Sequence, residues 1–357
     1  MFIMRGLTMH EQFLLAALKQ AWLGRGSCAP NPSVGAVAVL NGKIIAQSWH
    51  RGAGTPHAEK LLLDQLPNDC SDVTLYVTLE PCNHWGRTAP CVDAIIERGI
   101  KNVIYGYADP NPVVCSNNTP LILKQHNIKS QYHSLPEIDA FYESYSYWTR
   151  IKKPWVTVKM AQTFDGKIAG PAGKPVMLSN QLCAQFTHEQ RKYSDVILTT
   201  ARTVNNDDPM LNVRLAEGNG SKPIAIIDTR LELNQKAKLL NHVTSCHIYH
   251  ASTDTRRFNH DHCSLHQIPV RAGKMDLNAV LTHLGSLGYH DVWVEAGATL
   301  FNALHQAGLV NRTYLYLVPK FLGENAMGLF TNDGVFTNMK KITWIPKEDN
   351  LIVQIDH

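Results

Sequence analysis

The sequence predicts two consecutive α/β domains with a boundary near residue 150. The chain has 357 residues, which is too long for one typical domain. Strands and helices alternate before residue 150, and the same alternation restarts after the short linker Lys152-Lys153-Pro154. Alternation of this kind is typical of sheets covered by helices through crossover connections. We therefore expect domains over residues 1–150 and 151–357.

The first half is predicted to begin with a helix and to continue as alternating strands and helices. Apolar residues such as Phe13, Leu14 and Leu18 recur there at helical spacing. Asn41-Gly42, between two apolar runs, is the strongest short signal for a β-hairpin. The predicted elements are helix 9–22, strands 34–40 and 43–47, helix 57–66, strand 73–78, helix 91–98 and strand 101–107.

The second half repeats this pattern of buried strands and helices. Its predicted elements are strand 155–160, helix 180–193, strands 195–199, 223–228 and 290–295, helix 298–307 and strand 312–318. The stretch 229–289 is polar and rich in histidine, so its periodicity predicts little.

Composition is that of an ordinary globular protein, and it argues against two classes of partner. Hydrophobic residues make up 44% of the chain and charged residues 18%. The formal net charge of +4 is too weak and dispersed to indicate nucleic-acid binding. No apolar run approaches the roughly 18 residues of a membrane helix. The N-terminal stretch contains Glu11 and continues into the first helix, so we expect no signal peptide and a cytoplasmic protein.

The eight cysteines are scattered, and the chain is too large to need disulfides for stability. Two of them belong to the motif described next. The others are predicted to be buried apolar residues: Cys28, Cys70, Cys115, Cys183, Cys246 and Cys263.

One histidine and two cysteines form the most informative motif. His57, Cys82 and Cys91 offer one imidazole and two thiolates, which zinc prefers as ligands. Three protein ligands leave the fourth tetrahedral position open, as in catalytic zinc sites. Water there has its pKa lowered to about 7, and Glu59 is close enough in sequence to move its proton. We predict one catalytic zinc ion per chain.

The alternative is a closed structural zinc site with a fourth ligand from His84, His50 or Cys70. A structural site does not require the carboxylate that Glu59 supplies, so we favour the catalytic interpretation. The H-x-E and P-C elements are typical of zinc-dependent base deaminases, whose signature ends C-x-x-C. Here eight residues separate the two cysteines, which points away from ordinary cytidine deaminases.

Several longer segments of the first half extend this match. They are PNPSVG at 30–35, WH at 49–50, HAE at 57–59, TLEPCNHWGRTAPC at 78–91 and DPNP at 109–112. Together they resemble the deaminase domain of the bacterial bifunctional riboflavin-biosynthesis enzymes. The resemblance implies a cytidine-deaminase-like αβα sandwich with zinc on His57, Cys82 and Cys91, and Glu59 as the proton shuttle. It implies substrate contacts at Asn31, His50, His84, Arg87, Asp109 and Asn111.

These implied contacts agree with side-chain chemistry. The Asn31 amide both donates and accepts hydrogen bonds, and Arg87 offers a planar fork for phosphate. By themselves, Asn31 and Asn111 favour turn chemistry, because both lie beside prolines.

Three motifs of the second half resemble the reductase domain of the same family, in the same order. They are KMAQTFDGK at 159–167, TVNNDDP at 203–209 with LNVR at 211–214, and VEAG at 294–297 with Leu300. The resemblance implies a dihydrofolate-reductase-like domain that binds NADPH. The sequence contains no G-x-G-x-x-G motif, so a Rossmann domain is not expected. It implies substrate contacts at Lys159, Thr203, Asp207, Arg214 and Glu295, with Arg214 or Arg191 balancing the phosphate. It implies NADPH contacts near Thr163, Asp165, Ser179, Gly297, Ala298, Thr299 and Leu300.

This half also departs from the family pattern at two places. The usual W-I-T-G is MLSN at 177–180, and the usual G-x-G-T-V is TARTV at 200–204. Either the larger side chains narrow the pyrophosphate site, or Arg202 itself binds phosphate. In the first half, non-glycine residues replace the usual glycine-containing loop after DPNP and favour a different loop path, so the family's contacts beyond Asn111 are not carried over to this chain.

The resemblance implies two consecutive reactions on a phosphorylated pyrimidine. The first is hydrolytic deamination of 2,5-diamino-6-(5-phosphoribosylamino)pyrimidin-4(3H)-one, and the second is NADPH-dependent reduction of its ribosyl chain to ribityl. It also implies a homo-oligomer. Two other classes stay open: a deaminase of nucleosides or nucleic acid, and a non-catalytic binding protein on a decayed reductase fold. Assays with cytidine, guanine and RNA separate the first, and NADPH affinity the second.

Overall fold

The computed structural model describes residues 6–86, 89–253, 255, 258, 260–271, 273–330, 336 and 338–357. The side chains of Cys115 and Asn117 lie outside this description. The chain divides into two compact units, Met1–Lys152 and Lys153–His357. Within the described ranges, no helix combines the length and the apolar character that membrane crossing requires.

The N-terminal unit is a five-stranded mixed sheet with helices packed on it. Its strands follow the order β2-β1-β3-β4-β5, with β1 antiparallel to β2 and β3, and with β3, β4 and β5 parallel. Its strands are β1 (Gly35–Leu40), β2 (Lys43–Trp49), β3 (Thr74–Val77), β4 (Asn102–Tyr105) and β5 (Lys129–Tyr132). Its helices are α1 (Met9–Gly24), α2 (Ala58–Leu63), α3 (Cys91–Glu97), α4 (Pro112–Asn117), α5 (Thr119–Gln125) and α6 (Pro136–Ile151).

Two helical layers enclose this sheet. Helix α1 packs on β1 and contacts α6, whereas α2 packs on β1 and β2 and contacts α3. Helix α1 begins in a capping box, in which Glu11 N donates to Thr8 Oγ1 and Thr8 N donates to Glu11. A Cβ at Gly35 would lie 2.1 Å from the Ala17 carbonyl oxygen, so only glycine lets α1 approach β1 this closely.

The predicted hairpin at Asn41-Gly42 is confirmed. Leu40 pairs with Lys43, and Asn41 and Gly42 both have positive φ angles of 51° and 74°. A two-residue turn with two left-handed residues matches the twist of the strands it joins, which is why Asn-Gly is favoured there. The hairpin forms the β2 edge of the sheet.

The C-terminal unit contains a nine-stranded sheet in the order β13-β12-β11-β8-β16-β6-β17-β20-β19. All neighbours from β13 to β17 are parallel, and the pairs of β20 are antiparallel. Its strands are β6 (Trp155–Thr163), β8 (Val196–Thr200), β11 (Ile224–Ile227), β12 (Cys246–His250), β13 (Cys263–Gln267), β16 (Asp291–Glu295), β17 (Arg312–Val318), β19 (Lys341–Lys347) and β20 (Asn350–Asp356).

Helices and three small two-stranded sheets complete this unit. The helices are α7 (Gln181–Tyr193), α8 (Ala201–Asp207), α9 (Leu277–Ser286) and α10 (Ala298–Gln306), with a 3₁₀ turn at Lys238–Asn241. The small sheets pair β7 (Lys167–Pro171) with β18 (Ala326–Gly328), β9 (Val213–Leu215) with β10 (Gly218–Gly220), and β14 (Val270–Arg271) with β15 (Lys274–Met275).

The central strands of the large sheet are buried on both faces. On β16, Val292 and Val294 belong to one apolar cluster, whereas Trp293 between them belongs to the other. Burial on both faces is expected of parallel strands covered by helices. The mixed α/β architecture predicted from the sequence is therefore confirmed.

The structure adds elements that periodicity did not predict. Strands β12 and β13 and helix α9 lie within the histidine-rich stretch, and α4, α5 and α6 follow the DPNP segment. Helix α2 is shorter than predicted, and His57 is its N-cap rather than its first helical residue. Of the cysteines predicted to be buried, Cys263 is only half-buried, because β13 is an edge strand.

Candidate active sites

The predicted zinc ligands meet at the ends of two adjacent helices. His57 precedes α2, Cys91 is the first residue of α3, and Cys82 lies in the loop after β3. Helices α2 and α3 contact each other, so their N-terminal ends bring the imidazole and the thiols together. Sequence spacing alone could not supply this helix pairing.

The geometry of these three side chains fits a tetrahedral metal. His57 Nδ1 lies 3.3 Å from Cys91 Sγ and 3.4 Å from Cys82 Sγ. Ligands at tetrahedral angles around zinc lie about 3.5 Å apart, given the usual Zn–N and Zn–S distances. Among the described residues, this cluster has three members and no fourth His, Cys, Asp or Glu ligand. The arrangement therefore favours the open, catalytic form over a closed structural site.

Glu59 lies beside this cluster in the first turn of α2 and is only 3% exposed. Burial raises the pKa of its carboxyl to about 7, and the Cys82 thiolate contributes to this increase. A carboxyl group with a pKa near neutrality both accepts and donates protons at physiological pH.

His50 and Asn31 form a polar wall next to His57. The His50 and His57 rings lie 5.2 Å apart, nearly perpendicular to each other. His50 Nδ1 donates to the Pro56 carbonyl at 3.2 Å, which leaves Nε2 to accept from Asn31 Nδ2 at 3.2 Å. Burial lowers the pKa of His50, so this ring is neutral.

Asp109 and Asn111 lie in the loop after β4. Asp109 is 5% exposed, and its carboxylate accepts hydrogen bonds from Asn111 N at 2.9 Å and Tyr145 Oη at 3.1 Å. Burial raises the pKa of Asp109 to about 6. Asn111 Oδ1 accepts from Val113 N at 3.1 Å, which is the turn chemistry that its neighbouring prolines suggest.

Of the remaining two predicted contacts of this site, His84 is among the described residues. His84 is half-buried two residues after Cys82, and its Nδ1 has no hydrogen-bond partner among the described residues. A buried imidazole nitrogen without a partner is available to a ligand. Arg87 lies outside the described residues.

A second candidate site lies in the C-terminal unit, at the carboxyl ends of its parallel strands. A cavity of about 1410 Å³ is lined by Thr200, Ile227 and Glu295, the last residues of β8, β11 and β16. Ligands of open α/β sheets bind at this edge, because the loops and helix starts that follow the strands meet there.

The floor of this cavity carries a largely buried network of three charges. Lys159 and Glu295 are paired residues on β6 and β16, and Arg191 reaches them from the last turn of α7. Arg191 Nε and Nη2 donate to the two Glu295 carboxylate oxygens at 2.6 and 2.9 Å. Trp293 Nε1 donates a third hydrogen bond to Glu295 at 2.8 Å. The network therefore fixes the position and the charge of Glu295.

The pKa values in this network follow from the pairing. Burial opposes the ionisation of Glu295, but the charge and hydrogen bonds of Arg191, together with the charge of Lys159, lower its pKa to about 2. Burial lowers the pKa of Lys159, and Glu295 opposes that shift. Lys159 Nζ also lies 5.1 Å above the centre of the Tyr316 ring.

Most of the residues predicted for the second site line this cavity. They are Lys159, Thr203, Asp207, Glu295, Gly297, Ala298, Thr299 and Leu300. Thr200 caps α8 by accepting from Thr203 N at 3.2 Å, and Gly297 is the N-cap of α10. The small residues at the start of α10 allow the protein backbone to approach a ligand closely.

Four predicted residues are not among those that line the cavity: Thr163, Asp165, Ser179 and Arg214. The Asp165 carboxylate accepts hydrogen bonds from Thr163, from Leu322 N at 3.1 Å and from Gly323 N at 2.8 Å. It thereby joins the turn after β6 to the loop after β17. Ser179 is half-buried before α7, and Arg214 Nη1 donates to Asn212 Oδ1 at 2.5 Å.

Sequence reasoning missed other polar residues at these sites. Tyr145, on the unpredicted helix α6, gave no signal at all. Arg191 was considered only for phosphate, whereas it pairs with Glu295. Arg230 lines the cavity three residues after β11, and its position after a predicted strand was a usable signal.

Comparison with protein families assigns each unit separately. Residues 7–107 match the cytidine and deoxycytidylate deaminase zinc-binding region, and residues 154–349 match the RibD C-terminal domain. These two matches contain the His57–Cys82–Cys91 cluster and the cavity-lining residues, respectively.

Curated relatives match along nearly the whole chain. The riboflavin biosynthesis protein RibD of Escherichia coli K12 is 33% identical over 337 residues, covering 91% of this chain and 92% of that protein. RibD of Actinobacillus pleuropneumoniae is 35% identical over 323 residues, covering 87% of this chain and 84% of that protein.

Solved structures agree. RibD of Acinetobacter baumannii superposes with a TM-score of 0.86 at 28% identity, covering 98% of both chains. A diaminohydroxyphosphoribosylaminopyrimidine deaminase/5-amino-6-(5-phosphoribosylamino)uracil reductase of Thermotoga maritima gives a TM-score of 0.83 at 29% identity, also covering 98% of both. The likeness includes both units of the chain.

Proposed function

The chain belongs to the RibD family of bifunctional riboflavin-biosynthesis enzymes, with a deaminase followed by a reductase, and from this membership we propose its substrates and site residues. The N-terminal unit hydrolyses 2,5-diamino-6-(5-phosphoribosylamino)pyrimidin-4(3H)-one at its 2-amino group and releases ammonia. The C-terminal unit then reduces the ribosyl chain with NADPH, giving 5-amino-6-(5-phosphoribitylamino)uracil. The observation that carries this proposal is the three-ligand cluster with buried Glu59, in one chain with a charged reductase cavity.

In the deaminase we assign zinc, one ion per chain, to His57, Cys82 and Cys91. Bound zinc supplies hydroxide at neutral pH by lowering the pKa of its water to about 7. Glu59 accepts and donates the protons of the reaction, and delivers one to the departing amine. Its raised pKa suits both directions of transfer.

We assign substrate binding in this unit to the polar side chains around the cluster. The neutral His50 ring holds the Asn31 amide in one orientation, so the Asn31 carbonyl oxygen faces a defined direction. His84 Nδ1, which has no hydrogen-bond partner in the part of the chain that the structure describes, is available for substrate. Asp109 and Asn111 flank the site from the loop after β4, and Arg87 remains a prediction for phosphate.

In the reductase, NADPH supplies the hydride, so the protein's share is orientation and charge. We propose that the hydride reaches C1 of the opened ribose. Glu295 and Asp207 hold ribose hydroxyls, Lys159 donates to an oxygen near C1, and Thr203 adds a further polar contact. The segment Gly297–Leu300 lies against NADPH. Contacts at Thr163, Asp165, Ser179 and Arg214 remain predictions of the family resemblance.

A homo-oligomer and a cytoplasmic location also remain predictions. Analytical ultracentrifugation of the purified chain tests the first. The second is supported by the cysteines, since none of the seven whose side chains are described forms a disulfide.

The proposed function is tested by a coupled assay on metal-analysed protein, with ammonia release and NADPH oxidation followed separately. Both signals, with about one zinc per chain, are expected. Ammonia without NADPH oxidation would contradict the reductase assignment. Zinc-loaded protein that releases ammonia from cytidine or RNA, but not from the pyrimidinone, would contradict the substrate assignment.

A further inference from the structure

We propose that Arg202 and Arg230 form a phosphate clamp at the mouth of the reductase cavity, and that its ligand is the 2′-phosphate of NADPH. This inference rests on the proposed use of NADPH. Both arginines line the cavity and both are exposed, with the Arg230 side chain 80% exposed. Neither belongs to the buried network of Lys159, Arg191 and Glu295 on the cavity floor.

Hydrogen bonds hold the two elements that carry these arginines side by side. Arg202 is the second residue of α8, and Arg230 lies in the loop after β11. Asn205 of α8 donates from Nδ2 to the Glu232 carbonyl at 2.8 Å and accepts at Oδ1 from Asn234 N at 2.8 Å. These hydrogen bonds therefore hold the helix and the loop in a fixed position relative to each other.

A second attachment lies at the end of α8. Asp208 Oδ1 accepts from Lys238 N at 2.9 Å, and Asp208 Oδ2 lies 3.1 Å from Lys238 Nζ. Helix α8 is thus joined to the segment after β11 at two separate points.

The loop around Arg230 is fixed from within. The Asp228 carboxylate is buried and accepts from Glu232 N at 2.9 Å and Leu233 N at 2.8 Å. Ala251 N donates to the Thr229 carbonyl at 3.0 Å. These bonds fix the backbone on both sides of Arg230 and leave its guanidinium at the surface.

The guanidinium groups of Arg202 and Arg230 are available to an anion. Within the described part of the chain, Arg202 has no hydrogen bond or ion pair. The contact of Arg230 with Glu232 spans 3.7 Å between exposed side chains, and such pairs are weak. Lys274 adds a third cation to the lining. Of the carboxylates at the mouth, Asp228 is occupied by backbone amides and Asp276 pairs with Arg271 at 3.1 Å, so Asp207 and Glu232 are the two that face these cations.

The chemistry distinguishes between the phosphates of the cofactor. A phosphate monoester carries nearly two charges at neutral pH and three acceptor oxygens, which suits two guanidinium forks. Each phosphate of the pyrophosphate bridge carries one charge. The clamp therefore fits a phosphate monoester, and among the phosphates of the cofactor the 2′-phosphate, which NADH lacks, is the only one.

The test measures binding rather than turnover. Adenosine 2′,5′-bisphosphate and 5′-AMP are titrated into the full-length protein by calorimetry, and NADPH and NADH by fluorescence. We expect Arg202→Gln to lower the affinity for adenosine 2′,5′-bisphosphate and for NADPH by about tenfold or more, because charge-assisted hydrogen bonds are lost. The affinities for 5′-AMP and NADH should change little. Arg230→Gln should act in the same direction. Lys236→Gln, an exposed cation outside the cavity lining, should change neither.

Three results would overturn the clamp. The clamp is contradicted if the Arg202→Gln, Arg230→Gln double variant has native circular dichroism and binds NADPH as tightly as the wild type. An equal loss of affinity for adenosine 2′,5′-bisphosphate and 5′-AMP, and for NADPH and NADH, would show that the arginines bind the pyrophosphate instead. Wild-type protein that binds neither NADPH nor NADH contradicts the proposed reductase itself, and the clamp with it.

Discussion

Two glutamates that are largely shielded from solvent, one in each unit, show how differently the two sites are built. Glu59 faces thiols and an imidazole, and burial raises its pKa to about 7. The Glu295 side chain is 13% exposed, and the charges of Arg191 and Lys159 outweigh the effect of burial and lower its pKa to about 2. The first carboxyl is therefore able to exchange protons near neutral pH, whereas the second stays ionised.

The difference shows that burial alone does not assign a role to an acidic residue. What decides is whether a cation lies within hydrogen-bonding distance. A proton-transfer group needs a partner that leaves both protonation states accessible, and a binding group needs a partner that fixes one of them. The following changes test this contrast.

Glu59→Gln should have the largest effect. The amide keeps the shape of the side chain but cannot transfer protons, so deamination should fall by about 10²- to 10⁴-fold. NADPH oxidation with the deaminated intermediate should persist, because Glu59 is not part of the reductase cavity. Ammonia release and NADPH absorbance, measured separately, check this.

Asp93→Asn is the matched control for Glu59, since Asp93 is an exposed carboxylate in the first turn of the neighbouring helix α3. It should leave deamination near the wild-type rate. Loss of both activities in folded, zinc-containing Glu59→Gln protein would contradict two independent sites.

Arg191→Gln should destabilise the C-terminal unit by about 3–5 kcal/mol, because it removes the hydrogen-bonded cation from the largely buried Glu295 carboxylate and leaves only the Trp293 hydrogen bond and the charge of Lys159. The side chains of this pair are only 10% and 13% exposed. The Glu295→Gln, Arg191→Gln double variant should be less destabilised than the sum of the single variants. Urea unfolding of the C-terminal unit measures the free energy of each.

Lys192→Gln provides the control for that comparison. Lys192 neighbours Arg191 on α7, but its ion pair with Glu217 is largely exposed, so its loss should cost at most about 1 kcal/mol. Equal losses for Arg191→Gln and Lys192→Gln would show that the buried network adds no stability.

Acid should destabilise the C-terminal unit in two stages. Burial lowers the pKa of His266 from 6.5 to about 4, so the unfolded state binds more protons between these values. The free energy of unfolding should therefore fall as pH drops through this window. Glu295, whose folded pKa is about 2 instead of 4.5, adds a second loss below pH 4.5.

Urea unfolding between pH 7 and pH 4 checks the first of these stages. His266→Gln should reduce the slope of stability against pH, whereas His242→Gln, at an exposed position, should not. Identical slopes for wild type and His266→Gln would mean that other groups cause the acid loss.

Tyr145→Phe should have the smallest effect. It removes the hydroxyl that donates to Asp109 at 3.1 Å, at a cost of about 0.5–1.5 kcal/mol in stability. Because Asp109 is assigned to substrate, the KM of deamination should rise a few-fold with less change in kcat. Tyr132→Phe, which removes an exposed hydroxyl, is the control.

The two sites also differ in how far the sequence could predict them. His57, Glu59, Cys82 and Cys91 were identified from spacing, and the structure brings all four together. At the reductase cavity the segment 297–300 lines the cavity as expected from its position, whereas Asp165 and Arg214 do not line it and hydrogen-bond to other parts of the chain. The contacts predicted for these residues stay predictions. The partners of Asp109 and Glu295 were not predicted at all.

By itself, the sequence determined the order of the two domains, the hairpin at Asn41-Gly42 and the metal-ligand set. These depend on local spacing and on the chemistry of side chains, which a linear pattern records. Only the tertiary structure decided that Arg191 faces Glu295 and that Tyr145 donates to Asp109. It also decided that hydrogen bonds join the helix of Arg202 to the loop of Arg230. Those pairings depend on which strands and helices become neighbours, and each buried polar group must then find a partner among residues far away in sequence.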